Sequence, residues 1–168
     1  GDEHRFDALV FATGFQVTDP PIAERVFGRG GVSLAEDWDG SPQAYLGTCV
    51  AGFPNLFLMI GPNLGNGHSS AFVQIEAQAD YVVDALRTLR RDGLASVEVR
   101  RGVQDRYNDE VQEALTDTVW NAGGCSSWYI DAKGRNTSIY PWTTVDMRRR
   151  LARFDVNAFV IQQRPDLP

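Results

Sequence analysis

Cysteine and histidine are scarce, with two of each among 168 residues. Cys49 and Cys125 lie far apart with no C-x-x-C partner, which argues against a metal knuckle and a disulfide scaffold and fits reduced thiols in a cytoplasm. Long apolar runs are also missing. Nothing approaches the roughly 18 to 20 residues that span a bilayer, and no secretory leader pattern is present, so a cytoplasmic location without a membrane span is expected. A basic surplus is lacking too: the net charge is -6 and the pI about 4.8, with only local clusters at Arg90 and at Arg148 to Arg150. Nucleic acid is therefore not an expected partner. The sequence opens "GDEHRFDALVFATGF" without an initiator methionine and with an apolar run almost at once. The natural start is expected upstream, and the chain reads as part of a longer protein.

What is present suffices for a packed core, with 43% hydrophobic residues in a length typical of one domain. "FDALVFAT", residues 6 to 13, is a continuous apolar run of the kind found in a strand buried on both faces of a mostly parallel sheet, and "LFLMI", residues 56 to 60, reads as a strand. A further apolar segment covers Tyr45 to Val50. Between residues 20 and 42, Pro20-Pro21, "GRGG" and "DWDGSP" mark turns. A helix is predicted from Ser69 or Ser70 to about Arg91, stopping at Gly93, with Phe72, Ile75, Ala79, Val82, Val83, Leu86 and Leu89 on its buried face. A short strand at Ser96 to Arg100 follows. A second amphipathic helix is predicted within residues 104 to 120, with Tyr107, Val111, Leu115 and Thr118 or Val119 turned inward. "CSSWYID" and "NTSIY" read as paired segments around "AKGR", and "TTVDMRRRLARF" as a last helix capped by Thr143 or Thr144.

Chemistry is concentrated in "LFLMIGPNLGNGHSSAF", residues 56 to 72. "GHSSA" has the look of a hydrolase nucleophile elbow, but the loop before it is too long for that strained turn. Both histidines, His4 and His68, also precede Ser69, so the ordinary proton acceptor downstream of the serine is absent. A dinucleotide fingerprint G-x-G-x-x-G is approached by Gly65 to Ser70, with serine where the last glycine belongs and no acidic partner ending a second strand. The remaining reading uses the helix start itself. Unpaired backbone N–H groups and a partial positive charge of about half a unit would face an electron-rich group such as a reduced flavin.

"DALVFATGF" at Asp7 to Phe15 resembles the A-T-G segment of FAD- and NAD(P)H-dependent class B flavin monooxygenases. "YLGTCVAGFPNLFLMIGPNLGNGHSS" followed by "IEAQADYV" is similar to the next region of their Baeyer-Villiger branch, and "TVWNAGGCSSWYIDAKGRNTSIYPW" to that branch's C-terminal segment. The order and spacing of three blocks, from Asp7 to about Phe154, carry the resemblance. Relatives that oxygenate nitrogen or sulfur share the first block.

The resemblance implies an α/β fold: the C-terminal portion of a flavoprotein with two dinucleotide-binding domains. Residues 1–93 would complete a Rossmann-like FAD-binding domain, and residues 94–168 would form an α+β cap on the NADP and substrate side. FAD and NADPH are the implied cofactors, O2 and a small-molecule ketone the implied substrates, and a C4a-peroxyflavin the implied oxidant, yielding an ester or lactone. Ala12, Thr13 and Gly14 would lie where the chain crosses between domains. Asn63, Ser69, Ser70 and Ala71 would face the flavin, Gly67 and His68 the substrate, and Trp128 bound NADP+. The family's two glycine motifs, its F-x-G-x-x-x-H fingerprint and its catalytic arginine are not in this sequence, so no catalytic residue is assigned to it, and the remaining N-terminal part of the same protein is the expected partner. Two alternatives stand: an N- or S-oxygenating relative, and a non-catalytic interaction module that kept the fold.

Overall fold

The computed structural model describes residues 3–11, 19–65, 69–124 and 127–164. Two 3-10 turns, Pro21–Arg25 and Arg29–Gly31, lead to the short helix α1 (Leu34–Trp38). Ser33 starts α1 with a capping box: its hydroxyl accepts from the Glu36 N–H, and the Glu36 carboxylate accepts from the Ser33 N–H. The long helix α2 (Ala71–Arg91) ends before Gly93, whose φ of 64° suits glycine at that stop. Strand β1 (Leu94–Val99), α3 (Arg101–Leu115), α4 (Val119–Ala122) and α5 (Thr144–Arg150) follow, and a 3-10 turn at Val156–Ala158 leads into β2 (Phe159–Gln163).

β1 and β2 form a two-stranded antiparallel sheet, with Val97 opposite Ile161 and Val99 opposite Phe159. The main core lies where this sheet meets α2, α3 and α5. Tyr81, Ala85, Val97, Val111, Leu115, Met147 and Phe159 are buried there together with Leu64. A smaller core of Leu34, Trp38, Ala44, Val50 and Phe53 sits under the turn-rich residues 20 to 53.

The two runs predicted as strands have other fates. Residues 3–11 form no strand and are exposed, with Val10 86% accessible. A strand needs a neighbour to take its backbone bonds, and none of the described segments supplies one. Residues 56 to 60 also form no strand, but their polar backbone is satisfied: Leu58 N–H donates to the Thr48 carbonyl at 2.7 Å and Ile60 N–H to Gln78 Oε1 at 2.8 Å. The predicted hairpin around "AKGR" is reduced to a bridge between Ile130 and Asn136, turned by the Asp131 carboxylate, which accepts from the N–H groups of Lys133 and Arg135.

α2 spans the predicted residues with a different face buried, Val82 and Leu89 of the predicted set lying half-buried at its border. Gln74, Ala77, Gln78, Tyr81, Ala85 and Thr88 pack inward, while Phe72, Ile75, Val83 and Leu86 are exposed. The small Ala77 and Ala85 let the helix approach its neighbours closely. Gln78 is fully buried because its amide is fully used: Oε1 accepts from Ile60 N–H, and Nε2 donates to Thr48 Oγ1 and to the carbonyls of Leu58 and Gly47. The second predicted helix ends at Leu115 in α3, with Tyr107, Val111 and Leu115 buried as expected. Val119 falls in the separate α4 and is exposed.

Candidate functional site

The loop before α2 is built by its partner segment, residues 136–144. Asn63 N–H donates to the Thr137 carbonyl at 2.8 Å, Gly65 N–H to Ser138 at 2.6 Å, and Tyr140 N–H to the Gly65 carbonyl at 3.0 Å. The Asn63 side chain adds two bonds, from Nδ2 to the carbonyls of Asn136 at 2.7 Å and Ile139 at 3.1 Å. Glycine is required at two points for lack of room. A Cβ on Gly61 would lie 2.3 Å from the Gly47 carbonyl oxygen, and one on Gly65 2.5 Å from that of Ser138. Asn63 itself adopts φ 56°, a left-handed conformation that asparagine tolerates better than most residues.

Asn136 ties this arrangement to α3. Its N–H donates to Gln112 Oε1, its carbonyl accepts from Gln112 Nε2, and its side chain reaches Asn121 while accepting from the N–H groups of Ser138 and Ile139. It is fully buried, and the bonds explain how so polar a residue can be. The sequence offered no periodic signal for this hub, nor for Gln78, because each acts on loop backbone and not on a repeating face.

The start of α2 is left open. Ser70 occupies the N-cap position without a side-chain cap bond, and Ser70, Ala71 and Phe72 are exposed. Among the described residues the first N–H groups of the helix, those of Ala71 and Phe72, find no acceptor, and 21 aligned residues stand behind them. Ser69 is half-buried and its Oγ accepts from Thr144 Oγ1 at 2.8 Å.

Trp128 is 57% exposed, its ring 4.1 Å from that of Tyr129, which in turn packs edge-on against Trp120. It borders a cavity of about 400 Å³ whose apolar walls include Ile22, Trp38, Leu58, Met59 and Ile60, with Gly65 from the loop. One flat exposed ring beside an apolar cavity suits a planar group.

Acid–base chemistry finds little here. Burial pushes the Cys49 thiol and the Tyr107 and Tyr140 phenols up, away from neutrality, and the bond and charge of Lys133 hold Asp39 below the usual carboxylate range. Among the described residues no group of three or more His, Cys, Asp or Glu could hold a metal. The arrangement can bind and orient, by helix N–H groups and an aromatic wall.

No family model matches the chain. Over 96% of its length it is 48% identical to a Baeyer-Villiger monooxygenase of Streptomyces coelicolor, and over 98% it is 45% identical to one of Pseudomonas aeruginosa. The chain belongs to the Baeyer-Villiger branch of the flavin monooxygenases. It spans about a third of those relatives, 31% and 32% of their lengths. Its fold agrees: the crystal structure of cyclohexanone monooxygenase from Rhodococcus sp. Phi1 bound to NADP+ matches 96% of the chain, and 31% of its own, with a TM-score of 0.77 at 27% identity.

Within this Baeyer-Villiger chain the structure places the expected residues unequally. Asn63, Ser69, Ser70 and Ala71 come together at the loop and helix start, all held from residues 136–144 or adjoining them. The Asn63 amide is engaged with protein carbonyls, so this side chain shapes the loop from within. Trp128 makes none of these bonds and lines a cavity that it shares with Gly61, Pro62 and Gly65 of the loop. Ala12, Thr13, Gly14, Gly67 and His68 lie outside the described residues.

Proposed function

We propose that this chain forms one wall of the flavin and substrate site of an intact FAD- and NADPH-dependent monooxygenase that converts a ketone and O2 to an ester or lactone. The observation that carries the reading is the open start of α2, uncapped at Ser70 and held by a loop in which Gly61 and Gly65 leave no room for a side chain. Free N–H groups there fit the electron-rich edge of a flavin ring, and Trp128 fits a nucleotide beside it. FAD, when bound, would supply the redox chemistry with NADPH as reductant. The residues of this chain would orient the ring, favour negative charge on it and wall off water with the apolar Met59 and Ile60 side.

Residues 1–93 would belong to the FAD-binding domain and residues 94–168 to the cap, the two sharing one core through Leu64, Tyr81 and Val97. The exposed face of α2 supports such a setting. Phe72, Ile75, Ala79, Val83 and Leu86 recur every three or four residues, roughly half a turn from the buried face, and are open to solvent. The remainder of the same polypeptide, some two-thirds of the length of the relatives, would cover them. Ala12, Thr13 and Gly14 would form the crossing between domains, and Gly67 and His68 the substrate side of the loop.

The test is an assay of the intact protein, with NADPH consumption and product identity followed for cyclic and linear ketones and, in parallel, for an amine and a thioether. Ester or lactone as the main product is the expected outcome. An N-oxide or sulfoxide as the only product would move the protein to the neighbouring branch, and purification without FAD would overturn the reading.

A further inference from the structure

Resting on the reading that the start of α2 faces the flavin, we infer that Thr144 is a positioning residue for that helix start. Two threonines open α5, and they divide the work. The Thr143 hydroxyl caps the helix, accepting from the Asp146 N–H at 3.2 Å. That leaves the Thr144 hydroxyl, on the first residue of α5, to donate to Ser69 Oγ at 2.8 Å. A helix is ordinarily fixed at its start by the side chain of its N-cap residue, and in α2 Ser70 makes no such bond. The bond from Thr144 reaches the residue just before and takes over that task from outside the helix.

The placement makes this contact more than a surface bond. Ser69 and Thr144 are both half-buried, 75 residues apart in sequence, and the two helices pack along each other, with Arg148 and Glu76 paired at 3.9 Å farther along. On the other side of the loop Gly65 is bound to Ser138 and Tyr140. Gly65 and Ser69 are thus both bound by one continuous segment, 138–144, and Thr144 makes its last contact. Moving it would tilt the first free N–H groups of α2, those of Ala71 and Phe72, without touching the core.

The experiment uses the intact FAD-loaded protein with Thr144→Val, Thr144→Ser, Ser69→Ala, the double variant Thr144→Val/Ser69→Ala, and Ala71→Asp as a probe of distance to the flavin. Flavin absorption, flavin reduction potential and the fraction of NADPH recovered as product are read for each. Thr144→Val and Ser69→Ala are expected to shift the flavin band alike and to lower the recovered fraction at least about twofold, the double variant adding nothing further, because both remove one bond. Thr144→Ser, which keeps the hydroxyl, should match the parent protein. If Ala71→Asp lowers the flavin potential while Thr144→Val leaves band and recovery unchanged, the role of Thr144 is overturned and the flavin-facing reading stands. If Ala71→Asp leaves the potential unchanged, the flavin-facing reading fails and the role of Thr144 with it. A Thr144→Val protein that loses thermal stability alone also overturns the inference.

Discussion

Residues 56 to 60 and residues 6 to 11 are alike in sequence and opposite in circumstance. Both are apolar runs that read as buried strands, and neither is a strand. The first has its backbone satisfied by Thr48 and by the single side chain of Gln78, and sits at the edge of the apolar cavity. The second has no such partner among the described residues, which leave Phe6, Leu9, Val10 and Phe11 exposed. Apolar character says that a segment is to be covered. What covers it depends on donors and acceptors elsewhere in the chain or, for residues 6 to 11 in the function proposed here, in the rest of the intact protein.

The largest effect is expected from breaking the satisfied member. Gln78→Leu leaves the Ile60 N–H and the carbonyls of Gly47 and Leu58 without their buried partner, at about 1 to 3 kcal/mol for each group left unpaired. Urea unfolding should show a loss of about 3 kcal/mol or more. Gly65→Ala should follow at about 1 to 3 kcal/mol, since its Cβ would meet the Ser138 carbonyl and push the loop off residues 136–140. A midpoint unchanged from the parent protein would show that the loop is not fastened there.

The uncovered member is sharpened by contrast. Phe72→Asp or Val10→Asp should alter the stability of this chain alone by no more than about 0.5 kcal/mol, as surface changes do. The same changes in the intact protein should cost about 1.5 to 3 kcal/mol or more, the value of burying such a side chain. Equal effects in both would mean that nothing covers these faces. Ser33→Ala, in the capping box of α1, is expected to cost about 1 kcal/mol and to leave the loop before α2 unaltered in hydrogen exchange.

The smallest effect is that of pH. The bonds from Ser33 hold Glu36, and those from Lys133 hold Asp39, below their ordinary pKa values. A carboxyl depressed on folding contributes stability above its unfolded pKa and loses it as pH falls through the folded value. Both groups are solvent-exposed, so acidification should lower the unfolding midpoint only slightly, and less still in high salt.

Several elements were legible beforehand. The span of α2 and its stop at Gly93, the inner face of α3, and a cap at Thr143 follow from periodicity and from local capping chemistry. The face of α2 was not legible, because hydrophobicity marks the stripe left open, while the stripe this chain buries sets Gln74, Gln78 and Thr88 beside Ala77, Tyr81 and Ala85. Gln78, Asn136 and Asn63 were equally hidden as structural hubs. An amide bonded to distant loop carbonyls leaves no pattern in its own neighbourhood. β2 went unforeseen for a related reason, since only Phe159 of its residues is buried and the strand exists by pairing with β1.

The sequence by itself determined the family, through three blocks in order, and the local elements whose signals lie within a few residues of one another. Which stripe of α2 is inside, the fastening of residues 56 to 60 by the Gln78 amide and the hold of Thr144 on Ser69 were settled only by tertiary packing. The Gln78 and Thr144 bonds join residues 18 to 75 positions apart, and bonds of that reach are set by where the whole chain lies.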